Sequence, residues 1–404
     1  MEMGELKKRD LLALASVPMM MTLGNSMLVP VLPTIEKEIN ITPFQSSMII
    51  SIYSIISIFF VPIAGFLSDR FGRKKILIPG LIIAGVGGVV SGLAAVLMHK
   101  PYYLILAGRF IQGLGAAGAF PVVIPTVGDM YSDDKEISKG LGIIETSNTA
   151  GKVLSPVLGS LLAALVWFAP FWFIPLFSLV SIILVAIFVN VPKTDDESKE
   201  NFRDFIERIR KIFTEKGKWL FVVFFSGFVC MFVYFSFLFY LSSILENEFG
   251  IGPVKRGFII AIPLSILCIA SFVIGKVIGK NSMLMRNIAI TGSFVSSAGL
   301  FAMMLFDGLT AQIAILSAVA AGTGAILPAI DALITEGIEK EHRGTITSLF
   351  SSARMLGVTA GPPATALLMK AGLAVFYVPG GITFACIPAL ILLVKSEDIK
   401  PREM

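Results

Sequence analysis

The sequence predicts an all-α membrane protein: twelve spanning helices in two related bundles of six. Three observations predict it. Hydrophobic residues make up 55% of the 404 and charged residues 15%, with a mean hydropathy of +0.84. A soluble domain carries about 25% charged residues, so this chain needs lipid as its solvent. The apolar residues fall into twelve runs, each near the roughly 20 residues that cross a hydrocarbon core. The first six runs also match the last six when shifted by 206 residues.

The spans are predicted at 11–33, 44–67, 76–98, 102–128, 140–165, 167–190, 219–243, 256–278, 287–306, 311–334, 345–369 and 372–394. The first, MEMGELKKRDLLALASVPMMM, begins like a signal peptide. Its apolar run continues to Pro33 and another span follows, so it reads as an uncleaved helix. An even number of spans puts both termini on one side. The segments on that side hold 25 of the 33 basic residues, and the opposite loops hold five. By the positive-inside rule both termini are expected in the cytoplasm of a multi-pass cell-membrane protein.

The longest polar stretch, 191–218, divides the chain into bundles 1–190 and 219–404. Phe202, Phe205, Ile206, Ile209, Ile212 and Phe213 recur there at helical spacing among charges. This predicts an amphipathic helix on the inner membrane surface. Under the 206-residue shift Gly118-Ala119 falls on Gly324-Ala325, Gly151 on Gly357 and Ser155-Pro156 on Gly361-Pro362. Paired repeats of this kind are typical of transporters that alternate access to a midplane site.

The loop after span 2 reads GFLSDRFGRKK, Gly65 to Lys75. Gly65 is expected to allow close helix approach. Asp69 is expected to accept from a neighbouring helix N-terminus. Gly72 permits the tight turn, and Arg70 and Arg73 are placed to pair with Asp69 or with lipid headgroups. This stretch resembles the cytoplasmic signature of the major facilitator superfamily. LGNSMLVPVLP in span 1, RFIQGLGAAG in span 4 and GKVLSPVLGS in span 5 resemble, in order, further motifs of its twelve-span drug:proton antiporter branch. EHRGTITSLFSSARMLGVTAGP echoes the pattern in the second half. The resemblance covers essentially the whole chain and implies the major facilitator fold and proton-coupled efflux. Gly151, Ser155 and Gly159 form a small-residue stripe for helix packing, with Pro156 bending the helix.

Charges inside the spans carry the functional expectation, because a charge in hydrocarbon is costly and usually faces a cavity or a partner. The resemblance implies a coupling role for Arg109 in span 4; the alternative is an arginine bonded to backbone carbonyls. Glu145, Asn148 and Lys152 lie at i, i+3 and i+7 on one face of span 5. Glu145 is the candidate proton carrier, expected to be desolvated. Asn25, Asn148, Lys152 and Arg354 are candidate substrate contacts, Arg354 falling on Asn148 by the repeat. The alternative for Arg354 is a bond to Glu336 or Glu339. Asp129 and Asp331 are expected to act as gates. The run FVYFSFLFY, Phe232 to Tyr240, lines an apolar cavity or faces lipid.

Cys230, Cys268 and Cys386 all lie in apolar runs, which argues against a disulfide framework. His99 and His342 are far apart in sequence and lack ligand neighbours. No metal, cofactor, nucleotide motif or nucleic-acid role is expected, and neither is an enzyme. A sensor would need an output domain longer than the 191–218 segment. The expected partners are a small-molecule substrate, protons and membrane lipid, with a monomer as the working unit. The leading expectation is a secondary active exporter of amphipathic small molecules. Lys152 and Arg354 favour, as the alternative, an anionic or chelating metabolite such as a siderophore.

Overall fold

The computed structural model describes residues 5–131, 134–189, 202–279, 281–338 and 340–394. Helices dominate, and no strand occurs among the described residues. Helix α1 (Glu5–Ser26) gives way to a 3₁₀ turn over Val29–Val31 and resumes as α2 (Leu32–Ile39). Pro30 and Pro33 account for the break, since neither ring nitrogen can donate a helical hydrogen bond. Helix α3 (Pro43–Phe71) opens with a capping box. Gln45 N–H donates to Thr42 Oγ1 at 3.2 Å, and Thr42 N–H donates to Gln45 Oε1 at 2.9 Å. It ends at Gly72, whose φ of +100° is a backbone state that disfavours any side chain. Helices α4 (Arg73–Leu97), α5 (Tyr102–Met130), α6 (Asp134–Leu165) and α7 (Ala169–Phe188) follow.

In the second half the order is α8 (Phe202–Asn247), α9 (Pro253–Val277), α10 (Ser282–Ala302), α11 (Leu309–Gly337), α12 (Lys340–Leu368) and α13 (Ala374–Leu393). Counting α1 and α2 as one, there are twelve long helices among the described residues. Nine are long and apolar enough to span a membrane by composition alone. The other three are α6, α10 and α12. They carry the intramembrane charges Glu145, Lys152 and Arg354 and several serines, which lower their hydropathy. The helix predicted within the polar connection is continuous with span 7, forming one 46-residue helix. Residues 190–201 of that connection lie outside the described residues.

The chain forms two compact units, 1–200 with 251–257 and 201–250 with 258–404. In unit 1, α5 packs on α3 and α4, α1 on α6, and α4 on α7. Its core includes Leu14, Val17, Met20, Leu81 and Val123. In unit 2, α8 packs on α12, and α10 on α11 and α13. The repeat is visible in the contacts. The α6 position Gly151 sits against Met19 O of α1, and the α12 position Gly357 sits against Phe228 O of α8. A Cβ at Gly108 would meet Gly87 O and Ser91, and one at Gly322 would meet Gly292 O and Ser296. The pairing of Gly118 with Gly324 does not extend to packing. A Cβ on Gly324 would lie 2.3 Å from Leu267 O, while the nearest atom to a Cβ on Gly118 is at 3.4 Å.

Each unit also fastens its last helix with a cation from the start of an earlier helix. Lys74 Nζ donates to Ala186 O at 2.7 Å and to Val189 O at 3.0 Å, at the end of α7. Arg286 Nη1 donates to Val394 O at 3.0 Å, at the end of α13. Both satisfy carbonyls that a helix C-terminus leaves without partners.

Candidate functional site

The α5 residue Arg109 is fully buried in unit 1. Its guanidinium is held by neutral acceptors from three helices. Nε donates to Ile49 O of α3 at 2.8 Å, and Nη1 donates to Gly24 O of α1 at 3.0 Å and to Gln112 Oε1 at 2.5 Å. Nη2 donates to Asn25 Oδ1. The Tyr53 ring lies with its centroid 4.7 Å from Cζ, a cation–π contact. No carboxylate bonds this arginine among the described residues. The planar fork of five donors is the feature that lets one side chain tie α1, α3 and α5 together.

On α6, the candidate face is assembled differently from expectation. Thr22 Oγ1 of α1 donates to Asn148 Oδ1 at 2.5 Å, which fixes the amide so that its Nδ2 faces both Glu145 oxygens at 3.3 Å. Lys152 Nζ is 4.0 Å from Glu145 Oε1. The Glu145 side chain is 67% exposed and that of Lys152 15%. The expected desolvation of Glu145 is therefore not met: its stretch of α6 turns it off the α1 contact that buries Asn148. Nor is Glu145 bonded to Arg109. The structure gathers Glu145, Asn148 and Lys152 in one cluster and Arg109 with Asn25 in another.

In unit 2, Arg354 Nη1 lies 3.6 Å from Asp331 Oδ1, across α12 and α11. Its Cζ sits 5.8 Å from the centre of the Phe350 ring. Asp331 is thus its acidic neighbour in place of Glu336, and Glu339 lies outside the described residues. The run Phe232–Phe239 is buried, so the lipid-facing alternative is not met. Earlier on α8, Phe221, Phe225, Phe228 and Phe232 form a ladder of rings with centroids 5.9–6.5 Å apart and planes within 25°.

The signature loop centres on Arg73. It pairs with Asp69 one turn before it, donates Nε to Asp129 Oδ2 at 2.8 Å and donates Nη1 to Ser68 Oγ at 2.8 Å. The expected pairing of Asp69 with Arg73 is present, and Arg73 is the first residue of α4. Gly65 is not a close-approach site: a Cβ there would meet nothing within 4 Å. Close contact of α3 with α5 occurs instead earlier in the helix, where Ser57 Oγ donates to Gly113 O at 3.0 Å. Arg70 is exposed, with Cζ 5.8 Å from the Phe71 ring centre. Asp129, Arg73 and Asp69 together link the ends of α3, α4 and α5. Tyr131 caps α5 beside them, and burial, then Asp10 and Glu136, push its hydroxyl pKa up.

The family model for the Major Facilitator Superfamily matches residues 14–357 and 285–403. The chain belongs to this superfamily. It is 48% identical over 396 residues to the Bacillibactin exporter of Bacillus subtilis (strain 168), covering 98% of each chain. It is 23% identical over 397 residues to Tetracycline resistance protein, class B, of Escherichia coli, covering 94% of each. Among solved structures it resembles a D-xylose–proton symporter with a TM-score of 0.80, 98% of this chain and 100% of that one being covered at 13% identity. That last likeness concerns the fold alone. As a member of the superfamily the chain is a transporter and not an enzyme.

Sequence reasoning missed two elements of this facilitator. Arg256, at the edge of the eighth predicted span and not singled out there, is fully buried in unit 1. Its Nε donates to Pro30 O and its Nη2 to Thr34 Oγ1, both at 2.7 Å. The proline-broken junction of α1 and α2 leaves carbonyls without helical donors, and the prolines were the available signal. Tyr53 is the other. It sits among isoleucines and serines of α3, with nothing in the local pattern to single it out.

Proposed function

We propose that this facilitator is a proton-driven exporter of an anionic, chelating metabolite of the siderophore kind, with bacillibactin the first substrate to test. The observation that carries the reading is the 48% identity along the whole chain with a Bacillibactin exporter. Lys152 and Arg354 support it, being cations that are only partly buried and only loosely paired, at 4.0 and 3.6 Å. In this reading they meet the substrate's anionic oxygens, and Asn25 and Asn148 supply polar contacts. Glu145 carries the proton, because its exposure gives it access to solvent and Lys152 can pair with it when it is ionised. Arg109 cannot release its proton and acts by holding α1, α3 and α5 in register. Gly151, Pro156 and Gly159 provide the packing on which α6 is seated. The Arg73 cluster with Gly65, Arg70, Gly72 and Asp129, together with Asp331, serves the cytoplasmic gates. Both termini are cytoplasmic, the membrane is the cell membrane, 191–218 is the linker in sequence between the bundles, and one chain is the working unit.

Inverted membrane vesicles test this directly. An acid-inside proton gradient is expected to drive bacillibactin into vesicles that contain the protein, and a protonophore to stop it. Glu145→Gln is expected to lower gradient-driven uptake at least about tenfold, the effect of about 1.4 kcal/mol. Lys152→Ala is expected to raise the apparent KM for the anion by a similar factor and to leave cationic dyes unaffected. Unchanged coupling in Glu145→Gln would exclude Glu145 as the carrier. The tetracycline-resistance relative favours the second reading, export of amphipathic drugs. Cationic-dye transport insensitive to Lys152→Ala, with no bacillibactin uptake, would decide for it.

A further inference from the structure

A small cavity lies inside unit 2 where α8, α10, α11 and α13 meet. The space open to the centre of a water-sized sphere is about 10 Å³, the volume that one water molecule needs. We propose that one ordered water occupies it and joins the four helices.

The argument rests on counting protons. A hydroxyl has one proton to give and two lone pairs. Ser293 Oγ donates to Ala289 O at 2.8 Å, and Thr383 Oγ1 to Pro379 O at 2.7 Å. Thr323 Oγ1 and Ser296 Oγ both donate to Val319 O, at 2.9 and 3.1 Å. These four lining groups have spent their protons on backbone carbonyls and turn lone pairs toward the cavity. The thiols are similarly occupied: Cys386 Sγ lies 3.7 Å from Ile382 O and Cys230 Sγ 4.0 Å from Thr323 O. The fifth hydroxyl, on Ser226 of α8, is 98% buried; the Cys386 thiol lies beside it as a weak neighbour, and no protein group meets its oxygen in hydrogen-bonding geometry.

A wall of acceptors with one unmatched hydroxyl calls for a guest with two donors and an acceptor. Water is that guest. A monovalent cation would also suit the lone pairs, but no carboxylate lines the cavity, so its charge would be buried without compensation. An empty cavity would leave Ser226 unsatisfied, which buried polar groups seldom are.

The alternatives differ in the sign of one measurement. Full-length protein in lipid nanodiscs is unfolded thermally, with Ser226→Ala as the variant. If water is present, the variant removes one of its partners and Tm falls, by about 2 °C. If the cavity is dry, the variant removes an unsatisfied hydroxyl, and a Tm that rises or stays unchanged overturns the proposal. A Tm for the unaltered protein that rises when NaCl replaces choline chloride, with the rise lost in Ser226→Ala, overturns it in favour of a bound cation. A structure of the unaltered protein at water-resolving resolution gives the independent check. Density within hydrogen-bonding distance of Ser226 Oγ supports the proposal, and an empty cavity overturns it even if the variant fails to fold.

Discussion

Arg109→Ala is expected to reduce export to background. The variant deprives Ile49 O, Gly24 O, Gln112 and Asn25 of a charged donor at once. Hydrogen bonds to charged groups are worth about 1.5–3 kcal/mol each, so α1 and α3 lose their main polar tie to α5. The amount of folded protein in the membrane is expected to drop as well. Arg109→Lys separates the two effects. It keeps a positive charge but offers a single point of donors in place of a planar fork. The lysine variant is expected to fold and to export at least about tenfold more slowly, a loss of about 1.4 kcal/mol. Export by the lysine variant at the unaltered rate, in the vesicle assay, would show that charge alone matters and that the fork geometry does not.

The second large effect is expected at Gly159 of α6. A Cβ placed there would lie 2.0 Å from Met27 O and 2.8 Å from the attached carbon. Those atoms are backbone and cannot swing aside, so α1 and α6 must separate to admit even a methyl group. Overpacking of this sort costs about 1–3 kcal/mol or more. Gly159→Ala is expected to lower Tm, and Gly159→Leu to prevent accumulation in the membrane. Gly142, on the same helix, is the control: a Cβ there meets nothing within 4 Å, and alanine is the better helix former. Gly142→Ala is expected to leave Tm unchanged or slightly raised. Equal losses at both positions would show that helix propensity, and not the α1–α6 contact, governs the result.

The fold was legible because its signal is coarse. Twelve apolar runs depend on the solvent and need no knowledge of side-chain direction. The α6 face was legible too, since i, i+3, i+7 spacing is geometric, and Glu145, Asn148 and Lys152 do cluster. Burial was not. Spacing along α6 shows which residues share a face and not whether that face meets protein, so Glu145 was expected to be desolvated and is exposed. Partners across helices were also out of reach. Arg109 meets carbonyls of Gly24 and Ile49, and a carbonyl has no sequence signature. Gly65 illustrates the opposite error. A motif glycine was read as a close approach, and the structure leaves it open space. The merger of the connecting helix with α8 escaped notice because a polar segment followed by an apolar one reads as two elements when backbone continuity cannot be seen.

The setting of Arg109 has a consequence for how export should respond to pH. A guanidinium keeps its proton at every pH a cell meets, so the charge it places in unit 1 is a constant of the transport cycle. A constant charge contributes a standing potential and no slope. The steepness of the flux against pH then counts only the groups that exchange protons elsewhere.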